Sequence, residues 1–211
     1  MKRISVILLT VFVSKFSIGQ TDQDAVRILD KFSSSALSAP SVSMNFRLIT
    51  TNATDKTSDT TAGSIIMSKN MYMLELPDNI TWFNGSVSWN YLVPEKEVTI
   101  TKPDRKDDSF ISKPSSIFTL YKNGYKIRLL EENNTSYTLD LYPEDISSDL
   151  IRIRLNISKS TSALIGAEYK RKDGVSIYLA VDKYDLKSTH NQTFFTFNPK
   201  EHKGVEVIDM R

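Results

Sequence analysis

The amino-acid sequence predicts a mainly β chain with one long amphipathic helix (α+β), built on one antiparallel sheet large enough to curl. Three observations predict it. Six stretches alternate apolar and polar residues with a period of two, most clearly Ser41-Val42-Ser43-Met44-Asn45-Phe46-Arg47-Leu48 and Leu150-Ile151-Arg152-Ile153-Arg154-Leu155-Asn156-Ile157-Ser158. Successive side chains in a strand point to opposite faces, so Val42, Met44, Phe46 and Leu48 share one face while Ser43, Asn45 and Arg47 share the other. Asn84-Gly85 and Asp173-Gly174 supply hairpin turns, and a single long segment, residues 22–39, carries the three- and four-residue apolar spacing of a helix.

The elements follow in order. The N-terminus reads Met1-Lys2-Arg3, then a mostly apolar run to Ile18, then Gly19-Gln20, which is the basic, hydrophobic and small-residue order of a secretory signal peptide over residues 1–19. Lys15 interrupts the run, which falls short of the ~20 apolar residues of a membrane span. Cleavage is expected near Gly19/Gln20, leaving residues 20–211 as one exported, soluble domain. Ala25, Ile28, Leu29, Phe32, Ala36 and Leu37 then mark one helical face, Thr21 to Asp24 reads as a capping box, and Pro40 helps end the helix. Its apolar stripe must bury against the sheet that follows.

After the strand beginning at Ser41, the Thr- and Asp-rich stretch 53–62 reads as a loop, with the next strand starting at Gly63. Strand 71–76 follows, closed by Pro77-Asp78. A two-residue loop at Asn84-Gly85 predicts that Trp82 faces Val87 and Ile80 faces Trp89, placing Ile80, Trp82, Val87, Trp89 and Tyr91 on one apolar surface. Strand 98–101 leads to a mixed-charge loop at 102–108. Pro114, the shared face of Ile117, Phe118 and Tyr121, and Gly124 punctuate a second, short helix. Further strands are expected at 125–130, 136–141, 150–158, 165–170, 175–181 and 194–197, for a total of about ten to twelve.

Composition narrows the function. The 211 residues are 40% hydrophobic and 10% aromatic, enough for one sizeable core, and a net charge of +2 with basic residues spread through the strands argues against a nucleic-acid partner. Absence of cysteine removes disulfides, thiolate metal sites, cysteine nucleophiles and lipidated cysteine, and an exported chain without disulfides fits a bacterial envelope. Asn-x-Ser/Thr triplets at Asn52, Asn79, Asn84, Asn133, Asn156 and Asn191 read as chance in an Asn-, Ser- and Thr-rich chain. His190 and His202 have no carboxylate at ligand spacing and read as surface residues. The carboxylate pairs Glu95/Glu97 and Glu131/Glu132 flank turns, and none of the common nucleophile, metalloprotease or nucleotide motifs occurs, so neither an enzyme nor a cofactor is expected. What remains is an apolar interior; Met44, Met67, Met71 and Met73 would give it an adaptable lining, and the strand count allows it to enclose more than side chains.

Three local stretches carry a resemblance. Asn84-Gly85-Ser86-Val87-Ser88-Trp89-Asn90-Tyr91, Ile117-Phe118-Thr119-Leu120-Tyr121-Lys122-Asn123-Gly124-Tyr125, and the C-terminal run from Phe195-Thr196-Phe197-Asn198-Pro199 to Arg211 resemble the hairpin, central helix and C-terminal signature of the LolA family in its Bacteroidetes form. The resemblance implies a mainly β fold with a helical lid (α+β), an unclosed antiparallel β-barrel of about 11 strands covering helices. It also implies a periplasmic carrier that shuttles triacylated lipoproteins from inner to outer membrane without covalent chemistry. The implied partners are an inner-membrane lipoprotein-releasing ABC transporter and an outer-membrane acceptor or the outer membrane itself, with a monomer expected. Lys69-Asn70 stands where proteobacterial carriers place an arginine and proline, and lysine lacks the bidentate fork of a closing latch. Asn84 replaces the usual Asp before Gly85.

On this reading one face of the strands lines an acyl-chain pocket: Met44, Phe46, Leu48, Leu74, Leu76, Trp89, Tyr91, Leu139 and Leu141, with Phe32, Ile117 and Phe118 from the helices. The alternative is an envelope sensor or scaffold that uses the same fold to detect lipoprotein or lipid.

Overall fold

In a computed structural model, residues 18–102 and 113–211 are described. The signal-peptide reading falls almost wholly outside them, as does the mixed-charge loop from residue 103 on. Among the described residues one α-helix, α1 (Ile18–Ser38), is followed by twelve strands: β1 (Val42–Asn52), β2 (Thr57–Ser68), β3 (Met71–Leu76), β4 (Asn79–Phe83), β5 (Ser88–Leu92), β6 (Glu97–Thr101), β7 (Tyr125–Glu132), β8 (Ser136–Pro143), β9 (Leu150–Ser158), β10 (Leu164–Arg171), β11 (Val175–Asp185) and β12 (Glu206–Asp209). All join one sheet in the order β12-β6-β5-β4-β3-β2-β1-β11-β10-β9-β8-β7, so β12 and β7 are its edges and the sheet does not close. Every pairing is antiparallel except β12 with β6. No helix among the described residues is long and apolar enough to cross a membrane.

The sheet curls around α1. Buried side chains from β1, β2, β3, β8, β9, β10 and β11 form one cluster with Ala25, Leu29, Phe32 and Ala36 of the helix. Flat, the eight strands from β3 to β7 would span ~34 Å, while a helix with its side chains is only ~10–12 Å across. Only a wrapped sheet brings both ends to the same helix. We call the helix side of the sheet its inner face.

Several expected boundaries shift. The helix starts at Ile18, so Thr21 lies inside it rather than at its N-terminus. The expected loop at 53–62 is mostly strand: β2 begins at Thr57 and pairs with β1 along its whole length, Asn52 opposite Thr57. Its outer end is polar because it projects past the core, and threonine suits an extended chain. The hairpin at Asn84-Gly85 closes two residues later than a two-residue loop allows, with Phe83 opposite Ser88 and Trp82 opposite Trp89. The Asn84 side chain decides this by accepting hydrogen bonds from the Ser86 and Val87 amides at 3.0 and 2.9 Å, which stabilises a four-residue turn. A shift of two preserves the face, so the two tryptophans still share one surface. The second helix is two 3₁₀ turns, Pro114–Phe118 and Leu120–Lys122. The expected strand at 194–197 begins instead inside a 3₁₀ turn, Gln192–Phe195, set by the Asn191 side chain accepting from the Phe194 amide.

Candidate functional site

The inner face is assembled by register. Met44 lies opposite Ile65, Ile65 opposite Leu74, and on the other side Leu48 lies opposite Leu179, then Ala167, Leu155 and Leu139. These rows make a continuous apolar floor from β3 to β8. Over it lies α1, whose Ala25, Leu29, Phe32 and Ala36 recur every three or four residues and are all buried. The 3₁₀ turns complete the cover: Pro114, Ile117, Phe118 and Tyr121 are buried, and the rings of Phe32 and Phe118 lie 5.4 Å apart at 55°.

Polar contacts pin the cover at a few points. The Tyr121 hydroxyl donates to Asp30 Oδ1 of α1 at 2.5 Å. Burial, reinforced by that carboxylate, pushes the Tyr121 phenol up to about 12. Ser68 Oγ donates to the Pro40 carbonyl at 2.9 Å, tying the end of β2 to the helix exit. Burial likewise raises the phenols of Tyr72 and Tyr184 on the floor. Lys69 occupies a left-handed turn residue, φ 54°, at the rim of a crevice of about 320 Å3 that Ala36, Leu37, Val42, Met67 and Phe118 also line.

Ten of the twelve predicted lining residues meet here. Phe32, Met44, Phe46, Ile117, Phe118, Leu139 and Leu141 belong to the buried cluster, and Leu48, Leu74 and Leu76 pack against it. Trp89 and Tyr91 do not. They join Trp82, Val98 and Phe197 in a second cluster. Register explains the correction. Tyr72 and Leu74, on the inner face, lie opposite Phe83 and Thr81, which places Trp82, Ile80, Trp89 and Tyr91 on the outer face. There the segment after β11 covers them: Phe197 lies 5.5 Å from Trp82, and His202 stacks on Phe197 at 5.0 Å and packs against Tyr91 at 4.9 Å. The expected surface role of His202 is therefore replaced by a place in an aromatic cluster. The methionines also divide, Met44 and Met67 inside and Met73 with the outer cluster.

Sequence reasoning missed Asp30, which has no apolar periodicity to mark it, and the floor residues Ile65, Leu155 and Leu179, which alternation implied but did not rank. It also missed the buried charge group on the outer face. Arg154 grips Asp140 with two hydrogen bonds of 2.6 and 2.8 Å, Tyr142 donates to the same carboxylate at 3.0 Å, and Arg152 bridges to Glu168 at 2.7 Å. Alternation marked these positions as the polar side of the strands, and only the register pairs Asp140 with Arg154. Among the described residues no group of three or more histidines and carboxylates is arranged to hold a metal ion.

The described residues thus form an unclosed sheet wrapped on one helix, with an apolar floor beneath a helical cover. Residues 13–163 match the family described as outer membrane lipoprotein carrier protein LolA. The chain belongs to the LolA family. The C-terminal run from Phe195 lies beyond the matched region.

No curated protein is significantly similar to the chain in sequence. Among solved structures, an uncharacterised conserved protein from Thermus thermophilus superposes with a TM-score of 0.59 at 14% identity, covering 89% of this chain and 99% of that one. It shares the fold. A putative outer membrane lipoprotein-sorting protein domain from Vibrio parahaemolyticus is similar at a TM-score of 0.45 and 10% identity, covering 83% and 97% of the two chains. A LolA superfamily protein from Nitrosomonas europaea reaches 0.43 at 14% identity, covering 84% and 98%.

Proposed function

We propose that this LolA family member is an exported, periplasmic carrier that takes up the acyl chains of lipoproteins between the apolar floor and α1, and that α1 and the 3₁₀ turns swing aside to admit them. It would receive triacylated lipoproteins from a releasing ABC transporter in the inner membrane and yield them to an outer-membrane acceptor or to that membrane itself. The observation that carries the reading is the floor covered by one helix and two short turns on a sheet with unjoined edges.

Magnitudes support a reversible exchange. The crevice beside Phe118, about 320 Å3, is at the low end of the ~300–1,000 Å3 that one small ligand fills, so several acyl chains require the cover to move. Withdrawing Leu29, Phe32, Ile117 and Phe118 from the floor costs ~1.5–3 kcal/mol each, together ~6–12 kcal/mol. An acyl chain of about fourteen methylenes gains ~11 kcal/mol on leaving water. One chain thus roughly balances the cover and a second tips it open, while an acceptor that shields the chains equally well lets the cover reclose.

Incubating the mature protein with spheroplasts tests the reading. Lipoproteins are expected in the supernatant as complexes with the carrier. If none is released, and no fluorescent triacylated peptide binds the purified protein, the carrier function is wrong.

A further inference from the structure

We propose that the inner face of β4, β5 and β6 binds the neutral polar head of the acylated ligand, the glycerol esters and first peptide groups that adjoin the lipid; this rests on the carrier reading above. The floor changes chemistry along a single cross-strand row. Met44, Ile65 and Leu74 on β1, β2 and β3 continue in register into Thr81, Asn90 and Thr99 on β4, β5 and β6. The neighbouring rows are mixed: Phe83 lies opposite Ser88, which lies opposite Thr101, while Leu76 lies opposite Asn79, whose row runs on into Leu92 and Glu97.

These polar groups are preorganised. Asn90 Oδ1 accepts from Asn79 Nδ2 at 2.5 Å and from Thr81 Oγ1 at 3.1 Å, and Thr81 Oγ1 also lies 3.1 Å from Asn79 Oδ1. With its oxygen held, the Asn90 amide directs its NH2 group away from this cluster, and that group makes no hydrogen bond among the described residues. Asn79, Thr81, Ser88, Asn90, Thr99 and Thr101 are all half-buried, within reach of a ligand lying on the sheet.

The same strands send most of their apolar side chains outward, where Trp82, Tyr91 and Val98 are buried against Phe197, with Phe83 and Leu92 the exceptions. Amphipathicity therefore inverts between β3 and β4. Covering α1 alone gives no reason for amides and hydroxyls to continue the apolar row, whereas an amphiphile needs that arrangement. Its chains lie on β1 to β3 and its head on β4 to β6. The head is neutral because amide and hydroxyl donors suit ester and peptide carbonyls rather than phosphate, and the charge that stands on these rows, Glu97 opposite Leu92, repels an anionic head.

The test compares the full mature chain with its Thr81→Val/Asn90→Leu variant, using three fluorescent probes: a triacylated cysteinyl peptide, a free fatty acid of the same chain length and a phosphatidylglycerol. The variant is expected to lose about tenfold in lipopeptide affinity, the effect of two hydrogen bonds, while fatty-acid affinity stays within about twofold. Thr99→Val, at the far end of the row, is expected to lose about threefold for lipopeptide alone and serves where the double variant does not fold. Equal losses for lipopeptide and fatty acid, or no loss, overturn the head assignment and leave the carrier standing. Phosphatidylglycerol binding as tightly as lipopeptide overturns its neutral character. Wild-type protein that binds no acyl probe overturns the carrier and the head site together.

Discussion

Replacing Tyr121 by Phe isolates a side-chain hydrogen bond between the 3₁₀ turns and α1. It removes one oxygen and leaves the buried ring in place. The lost bond runs from a buried phenol to Asp30 at 2.5 Å. A hydrogen bond to a charged group contributes ~1.5–3 kcal/mol, but Asp30 is exposed and recovers water when the phenol is gone, so a loss of ~1 kcal/mol is expected. That is about a fivefold increase in the population with α1 undocked, if the bond is made only in the closed state. Urea unfolding measures the total loss, and hydrogen exchange measures where it falls. The α1 amides should exchange about fivefold faster while the amides of β9 and β10 follow the global stability, and affinity for a triacylated peptide should rise by a similar factor. Asp30→Ala should reproduce the effect, and the double variant should add little. Unchanged α1 protection, or equal loosening of helix and sheet, refutes the claim that this contact holds the cover. The sign with pH is set by the raised phenol: its contribution is complete below the ordinary tyrosine value of ~10 and is lost as pH rises toward about 12.

Other outcomes follow from the same contacts. Asp140→Asn is expected to cost ~2–3 kcal/mol at neutral pH by urea unfolding, less than for a fully buried pair because Arg154 keeps some solvent access. Burial pushes the Asp140 carboxyl up, but bonds from Arg154 and Tyr142 and the charges of Arg154 and Arg152 outweigh it and hold the value below the ordinary one. Wild type should therefore lose this advantage over the variant as pH falls below ~3.9 and through the lower folded value. Gly63→Ala should destabilise by ~1–3 kcal/mol in the same assay, since a Cβ there would sit 2.8 Å from the Phe46 ring and 2.8 Å from the Glu75 carbonyl. Both tryptophans lie on the outer face, so acyl loading should leave intrinsic emission nearly unchanged, whereas Phe118→Trp should report it. Phe197→Ala should shift Trp82 emission to the red and cost ~3–5 kcal/mol without altering acyl affinity.

Alternation along single strands needs only nearest neighbours, which is why β1, β8 and β9 and their inner residues Met44, Phe46, Leu139 and Leu141 were legible in the sequence. The helix stripe of Ala25, Leu29, Phe32 and Ala36 was legible for the same reason, through its longer period. The turn at Asn84 was not. Its closing register depends on whether the side chain or the backbone satisfies the Ser86 and Val87 amides, and Asn-Gly permits both.

Facing was the larger omission. Trp89 and Tyr91 alternate as cleanly as Met44 and Phe46, and a period of two says that residues share a face without saying which face is covered by what. The sequence by itself determined a mainly β chain, one amphipathic helix and the apolar stripe of each strand, because these are set within a few residues. Only the tertiary structure decided that β1 to β3 turn their apolar side toward α1 while β4 to β6 turn theirs toward Phe197 and His202. For β4 to β6 that choice is made by contacts more than a hundred residues apart in the chain, where burial against a distant segment outweighs any local preference.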